Sequence, residues 1–523
     1  MYLWQPNPPR LDISTGPQKG MLERLLRQGG AYALAGALLK AAGLVLAPLL
    51  LNPAYLPVDD YGSFALLMVT AQLAVFVSGL GLATALLRFM TRDDPGVDRE
   101  RLPVTALVIA AGSAVVTAVL FLVLARPLAS GLTDSSANAG LMGALAVYVG
   151  AKCLASIPLA LLRVRERAGL YTVAVVAEML ALIGLVWYEL AFTGSGLSGL
   201  VRAYAGSAVT GFALLLILAG RGMRWQVDPA AFRPLLRFGL PLVIASLAGW
   251  FLNAGDRYLL KWLADREAVA AYEWSARLAG LINMLLVQSF QLAFTVVGLK
   301  ALAAGAEQFY RRTFRHFVIW TGAAVLVLSA WTPEGMRVLI RLFRVDPHYL
   351  QAAELVFPLA LGFGAYGVYI IVNNALLAAG RTGIIGANVL GVAALNALLN
   401  IALIPVLGAM GAALSTTASY GVLAGIAAWT ARKEIQVDYP WRVAWTVGLL
   451  VITLFLTATA CEALPPGWRS LAKAGVTFAY VAAIPAFGLY TRADWDAGVR
   501  MLQQFRGGDV GRSEKQVSDD RHL

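Results

Sequence analysis

The sequence predicts an all-α polytopic membrane protein with about 14 transmembrane helices. Fourteen apolar stretches, each near the ~20 residues that cross a bilayer core, follow one another along 523 residues. The chain is 59% hydrophobic and only 14% charged, and no polar stretch is long enough to build a second, water-filled core. At least eight charged side chains nevertheless lie inside the apolar stretches, where a lipid-facing surface would not tolerate them. Long apolar spans with a charged interior are the pattern of a transporter.

Residues 1–30 carry charges and prolines but no apolar h-region or small-residue cleavage site, so they read as a retained cytoplasmic tail. Six spans follow at 31–52, 62–85, 104–125, 139–162, 169–192 and 197–219, giving an N-terminal bundle over 31–220. A cytoplasmic linker at 221–237 leads to six more at 238–262, 270–297, 314–332, 352–377, 384–407 and 410–431, a C-terminal bundle over 238–432. Helices 13 and 14, at 443–462 and 470–490, form an appendage over 443–490, and 491–523 is a basic cytoplasmic tail of disordered composition. Cys153 and Cys461 are far apart, fall in spans and give neither a disulfide framework nor a metal-ligand spacing.

An even number of spans puts both termini on one side. Of the 42 Lys and Arg, 29 sort to that side and eight to the other, so the positive-inside bias makes both termini cytoplasmic. The net charge of +12 is spread over short cytoplasmic loops facing anionic lipid, which leaves no case for nucleic acid as a partner. The expected location is the inner (cytoplasmic) membrane, as a multi-pass protein.

The chain also reads as duplicated. VDDYGSFALL (58–67) set beside VAAYEWSARL (269–278) aligns Tyr61 with Tyr272 and brings Arg88 to within a residue of Lys300. LLRVRERAG (161–169) matches LLAAGRTG (376–383), and Gly194 matches Gly408. Six spans per copy makes the copies parallel repeats with a cavity between them.

The intramembrane charges are Lys40, Lys152, Arg202, Arg257 and Arg277 with Glu178, Asp256 and Glu273. At ~2.5 to 3.5 kcal/mol each on a lipid-exposed helix they would together cost roughly 20 to 28 kcal/mol, so they must face protein or water. Asn253, Asp256 and Arg257 share one face of span seven, and Glu273 and Arg277 share one of span eight. Five cations against three acids make an electropositive cavity that attracts an anion such as a phosphate or pyrophosphate. Lys40 and Lys152 are the leading cargo contacts, each mid-span with no acid within four residues. For Asp256 with Arg257, and for Glu273 with Arg277, a structural ion pair competes with a direct role, and Arg202 is near enough to the interface to snorkel. Glu178, Asp256 and Glu273 are the candidates for ion coupling. Asn388, Asn396 and Asn400 are assigned to helix packing.

At 239–281 and 373–420 the chain resembles the polysaccharide and O-antigen flippases of the multidrug, oligosaccharidyl-lipid and polysaccharide exporter superfamily. Asp256, Arg257 and Tyr272 carry the first part of the resemblance; Arg381, Asn396, Asn400, Ile404, Pro405, Gly408 and the run Gly411, Ala412, Ala413 carry the second. The resemblance implies two pseudo-symmetric six-helix bundles, V-shaped around a central cavity, alternating between inward- and outward-facing states. It also implies a lipid-linked (undecaprenyl-pyrophosphate) oligosaccharide as cargo, moved across the membrane for cell-surface polysaccharide, O-antigen or exopolysaccharide biosynthesis. Polymerase and glycosyltransferases of the same pathway are the implied partners, with membrane lipids around the protein.

A peptidoglycan-precursor flippase shares the architecture and a pyrophosphate cargo. An ion-coupled multidrug antiporter for organic cations should instead show an acidic cavity. A membrane-embedded polymerase or ligase would need a long external loop, whereas the longest, around Pro333 to Leu350, is short and holds a single histidine, His348. No GxxxxGK[ST] phosphate loop is present. The expectation is a transporter rather than an enzyme, with no cofactor beyond a coupling proton or sodium ion.

Overall fold

The computed structural model describes residues 42–91, 98–221, 223–303, 307–435 and 437–490, so the first half of the first span lies outside the described residues. Its longer helices are α1 (Val58–Ser78), α2 (Leu82–Thr91), α3 (Leu102–Val123), α4 (Leu141–Val164), α5 (Ala168–Trp187), α6 (Gly196–Gly220), α7 (Phe232–Ala254) and α8 (Asp256–Leu263). They continue as α9 (Arg266–Ile282), α10 (Ser289–Ala303), α11 (Glu307–Phe343), α12 (His348–Ala378), α13 (Thr382–Leu407), α14 (Ala409–Ala431), α15 (Trp441–Ala460) and α16 (Pro466–Ala486). No strand occurs among the described residues, and ten helices there are long and apolar enough to cross a membrane. Each of the ten coincides with an expected span. The fold is that of a polytopic α-helical membrane protein.

Span fourteen is the continuous helix α16, whereas spans seven and eight are helical but interrupted. Span seven breaks at Gly255 between α7 and α8, and span eight passes from α9 through a π-helical turn, Asn283–Gln288, into α10. Such turns widen a helix locally and recur at functional sites. The external loop expected around Pro333 to Leu350 is corrected: α11 runs helically to Phe343, with Pro333 inside it and Glu334 paired to Arg337 one turn on at 2.9 Å. An i, i+3 pair supports continued helix across the proline, and only residues 344–347 are left to turn.

By chain range the helices form two compact units, Met1–Tyr310 with Trp331–Asp438, and Arg311–Ala330 with Tyr439–Leu523. Within the first, the duplication is visible in backbone detail. Helix α4 packs along α6 and α6 along α5; α12 packs along α14 and α14 along α13. The turn ending α4 uses Arg165 N–H to Leu161 O, Glu166 N–H to Arg163 O and Arg167 N–H to Leu162 O. The turn ending α12 repeats these as Ala379 to Ala375, Gly380 to Leu377 and Arg381 to Leu376, at the offset that also separates Gly194 from Gly408. Glu166 (φ +53°) and Gly380 (φ +69°) are both left-handed, as are Gly194 (φ +61°) and Gly408 (φ +56°). Only glycine adopts that region without strain, so the paired glycines mark equivalent turns.

The halves meet where α1 crosses α9. Asp59 and Asp60 favour the positive N-terminus of α1, and Asp265 caps α9 by accepting from Ala268 N–H at 2.7 Å. A Cβ on Gly62 would lie 2.1 Å from the Arg266 carbonyl oxygen, so the two backbones touch there. Arg266 binds Asp59 and Asp134 at 3.1 and 3.2 Å and donates to Ser63 Oγ at 3.2 Å, tying the crossing together.

In the second unit the Tyr480 hydroxyl donates to Ile319 O at 2.7 Å, and Gly322 leaves room for Val447 and for Tyr480. Lys473 on α16 is buried and pairs with Glu462.

Candidate functional site

Two adjoining cavities, of about 350 and 830 Å³, share Tyr148, Lys152, Tyr204, Arg277 and Asn283 and make one vestibule within the first unit. Its walls come from α1 and α4–α6 of the first copy and α7–α9 of the second. Periodicity explains the wall of α4, because Tyr148 and Lys152 stand at i, i+4 on one face. On α5, Glu178 pairs with that Lys152, its carboxylate lying in the notch left by Gly211 of α6, where a Cβ would come within 2.7 Å of it.

A second cluster closes the opposite wall. Glu273 accepts from Arg277 Nε at 3.0 Å through one oxygen and from Arg257 Nε and Nη2, both at 3.2 Å, through the other. Arg257 also reaches Asp256 at 2.7 Å and the Asn253 carbonyl at 2.8 Å. Its guanidinium lies 4.9 Å over the ring of Tyr272, whose hydroxyl donates to Asp256; Arg277 lies 5.6 Å over the ring of Tyr61. Tyr61 and Tyr272, paired by the repeat, thus present ring faces to the two arginines, a contact worth more when it is shielded from water.

Lys152, Arg257, Arg277, Glu178 and Glu273 line the vestibule together. Asp256 lies behind the wall, 2% exposed. Arg202 is elsewhere: it sits in the second turn of α6, half-exposed, and is held bidentately by Glu189 at 2.8 and 3.2 Å. Lys40 lies outside the described residues. The expected excess of five cations over three acids therefore becomes three over two on the described walls. That is still a positive surface, with every cation beside a carboxylate. Among the described residues no three His, Cys, Asp or Glu gather as metal ligands.

Several participants were not among the sequence candidates. Tyr148 was legible as the i−4 neighbour of Lys152. Tyr204, and the Glu189 that takes Arg202 away from the cavity, had no local signal, because their partners come from other helices. The asparagines of α13 serve packing: Asn396 donates to Ser419 at 3.2 Å, Asn400 to Asn396 at 3.1 Å, and Asn388 to Thr430 at 3.2 Å.

Replacing Tyr272 with Phe should cost about 1–3 kcal/mol, since it takes a donor from a buried carboxylate. Thermal unfolding in detergent checks this; melting at the wild-type temperature would mean that Arg257 and Thr416, whose hydroxyl lies 3.4 Å from the same carboxylate, suffice to hold Asp256.

The family model described as polysaccharide biosynthesis protein matches residues 25–295, just over half of the chain. The chain belongs to this family. A second model, MatE, matches residues 241–406. Among solved structures, the lipid II flippase MurJ in an inward closed conformation is similar with a TM-score of 0.69 at 13% identity, over 87% of this chain and 98% of MurJ. An inward-facing multidrug resistance MATE transporter of the MOP superfamily gives 0.57 at 15% identity, over 80% and 95% of the two chains. A MOP superfamily transporter from Pyrococcus furiosus gives 0.54 at 17% identity, over 79% and 95%. No curated protein sequence matches the chain. This family member is a multi-pass α-helical membrane protein that shares the fold of these transporters.

Proposed function

We propose that this protein is a flippase for an undecaprenyl-pyrophosphate-linked oligosaccharide, carrying it from the cytoplasmic to the outer leaflet of the inner membrane for surface polysaccharide assembly. The observation that supports this best is the vestibule wall on which Lys152, Arg257 and Arg277 stand together. Guanidiniums bind phosphate oxygens bidentately, and a pyrophosphate offers enough of them to engage the lysine and both arginines. The sugars then occupy the wet volume while the prenyl tail stays in the bilayer, and no covalent step is needed.

In this reading the halves 31–220 and 238–432 rock about the vestibule, and the α1–α9 crossing is the gate that parts on one side. Cargo phosphate takes Lys152 from Glu178 and Arg277 from Glu273, and the freed carboxylates are the groups that accept a coupling proton or sodium ion. Asp256, enclosed by Arg257 and Tyr272, is the third coupling candidate. Glycosyltransferases supply the cargo and a polymerase consumes it.

The fold likeness to the lipid II flippase favours a second reading, a peptidoglycan-precursor cargo with the same pyrophosphate anchor. Purified protein in proteoliposomes, offered a fluorescent lipid-linked oligosaccharide, lipid II or an organic cation in turn, separates the readings. The expected result is movement of the lipid-linked oligosaccharide at the highest rate. Faster movement of lipid II would favour the second reading, and transport of the organic cation alone would overturn both.

A further inference from the structure

Away from the vestibule, a cavity of about 620 Å³ opens where the last turn of α2 meets the first two turns of α7. Arg88 and Phe89 line it from α2, and Arg233, Pro234, Arg237 and Phe238 from α7. Three guanidiniums therefore share one cavity at the N-terminal end of a helix whose first turn carries no acid. Arg88 is half-buried, its guanidinium 4.6 Å over the Phe238 ring and 5.1 Å over Phe89; Arg233 and Arg237 are exposed. None of the three makes an ion pair among the described residues.

The site is built on a rigid crossing. A Cβ on Gly81 would lie 2.4 Å from Gly239 O, and one on Gly239 would lie 2.2 Å from Leu80 O, so the two backbones are in contact. Leu82, Phe89 and Leu235 share one buried core beside it. Packing of this kind holds like charges together that repel one another at i, i+4 and are disfavoured at a helix N-terminus. An anion removes both penalties.

We infer that this pocket holds the phosphate ester of an anionic membrane phospholipid, on the face that carries the basic loops. Arginine suits that ligand because its planar fork meets phosphate oxygens in pairs. Phe238 and Pro234, both partly exposed, offer an apolar floor to the glycerol and the first acyl carbons. The same chemistry would be presented by free phosphate or by a prenyl pyrophosphate, and the chain's own Asp93 and Asp94, which lie outside the described residues, are the rival internal anions.

Native mass spectrometry of the full-length protein in a neutral detergent tests this, by titration with phosphatidylglycerol, phosphatidylcholine, inorganic phosphate or a short prenyl pyrophosphate. Wild type should bind phosphatidylglycerol at least about tenfold more tightly than R233Q/R237Q, on the strength of two lost charge-assisted contacts. R233K/R237K should recover part of the affinity, R88Q should lower it, and added salt should weaken it. K152A/R277A should retain it in full, so the result stands apart from the fate of the vestibule reading. Unchanged binding in a folded R233Q/R237Q protein would overturn the inference. So would equal affinity for phosphatidylcholine, displacement by inorganic phosphate or by the prenyl pyrophosphate at matched concentration, or binding that appears only in D93N/D94N.

Discussion

Arg277→Ala is expected to reduce translocation by about 10- to 100-fold, the loss that follows from removing a charge-assisted phosphate contact of roughly 1.5–3 kcal/mol. Arg277 lines both parts of the vestibule, and of its donors Nε is the one bonded to Glu273. Arg257 also lines the vestibule but has its donors on Glu273, Asp256 and Asn253, so its loss would disturb the wall as well as the cargo contact, and Arg277 is the cleaner test. Glu273 keeps Arg257 as partner in the variant, which limits the harm to folding. Translocation is measured beside melting temperature: a folded Arg277→Ala protein that moves cargo at the wild-type rate would remove this residue from cargo binding. Arg277→Lys should lie between the two, since it keeps the charge and loses the fork.

Gly62→Val should be the most disruptive single change to the fold. The first side-chain carbon would have to occupy a point 2.1 Å from the Arg266 carbonyl oxygen and 2.9 Å from its carbon, both backbone atoms of the facing helix. No rotamer relieves that contact, so α1 and α9 must separate at a cost of about 1–3 kcal/mol or more. Separation also pulls Arg266 from Asp59 and Ser63, and it shifts Tyr61, the neighbouring residue, against Arg277. A melting temperature lower by several degrees, with translocation lost, is the expected outcome. Wild-type melting would show that the crossing is looser than the backbone contact implies.

The spans were legible because bilayer thickness imposes a length and a composition that one sequence displays without relatives. The duplication was legible through the pairing of Gly194 with Gly408, since a left-handed turn leaves glycine as its trace. Lys152, Arg257 and Arg277 stood out because a charge inside an apolar span has no cheap alternative explanation. What the sequence did not reveal depends on contacts between helices. Arg202 leaves the cavity for Glu189 because α6 begins only six residues before it and turns its side chain toward the end of α5. Gly255 breaks span seven and Pro333 fails to break α11, and local propensity alone ranks those two the other way. Tyr61 and Tyr272 emerged as a matched pair in the alignment, whereas their stacking under two arginines required the fold.

Recognition of cargo by this vestibule is recognition of anchor charge. Binding of a prenyl pyrophosphate, a prenyl monophosphate and the neutral prenol to purified protein, compared between wild type and K152A/R277A, tests it most directly. Affinity should fall in that order for wild type, and the order should be lost in the double variant. Equal affinity of wild type for all three, or an order unchanged in K152A/R277A, would contradict it.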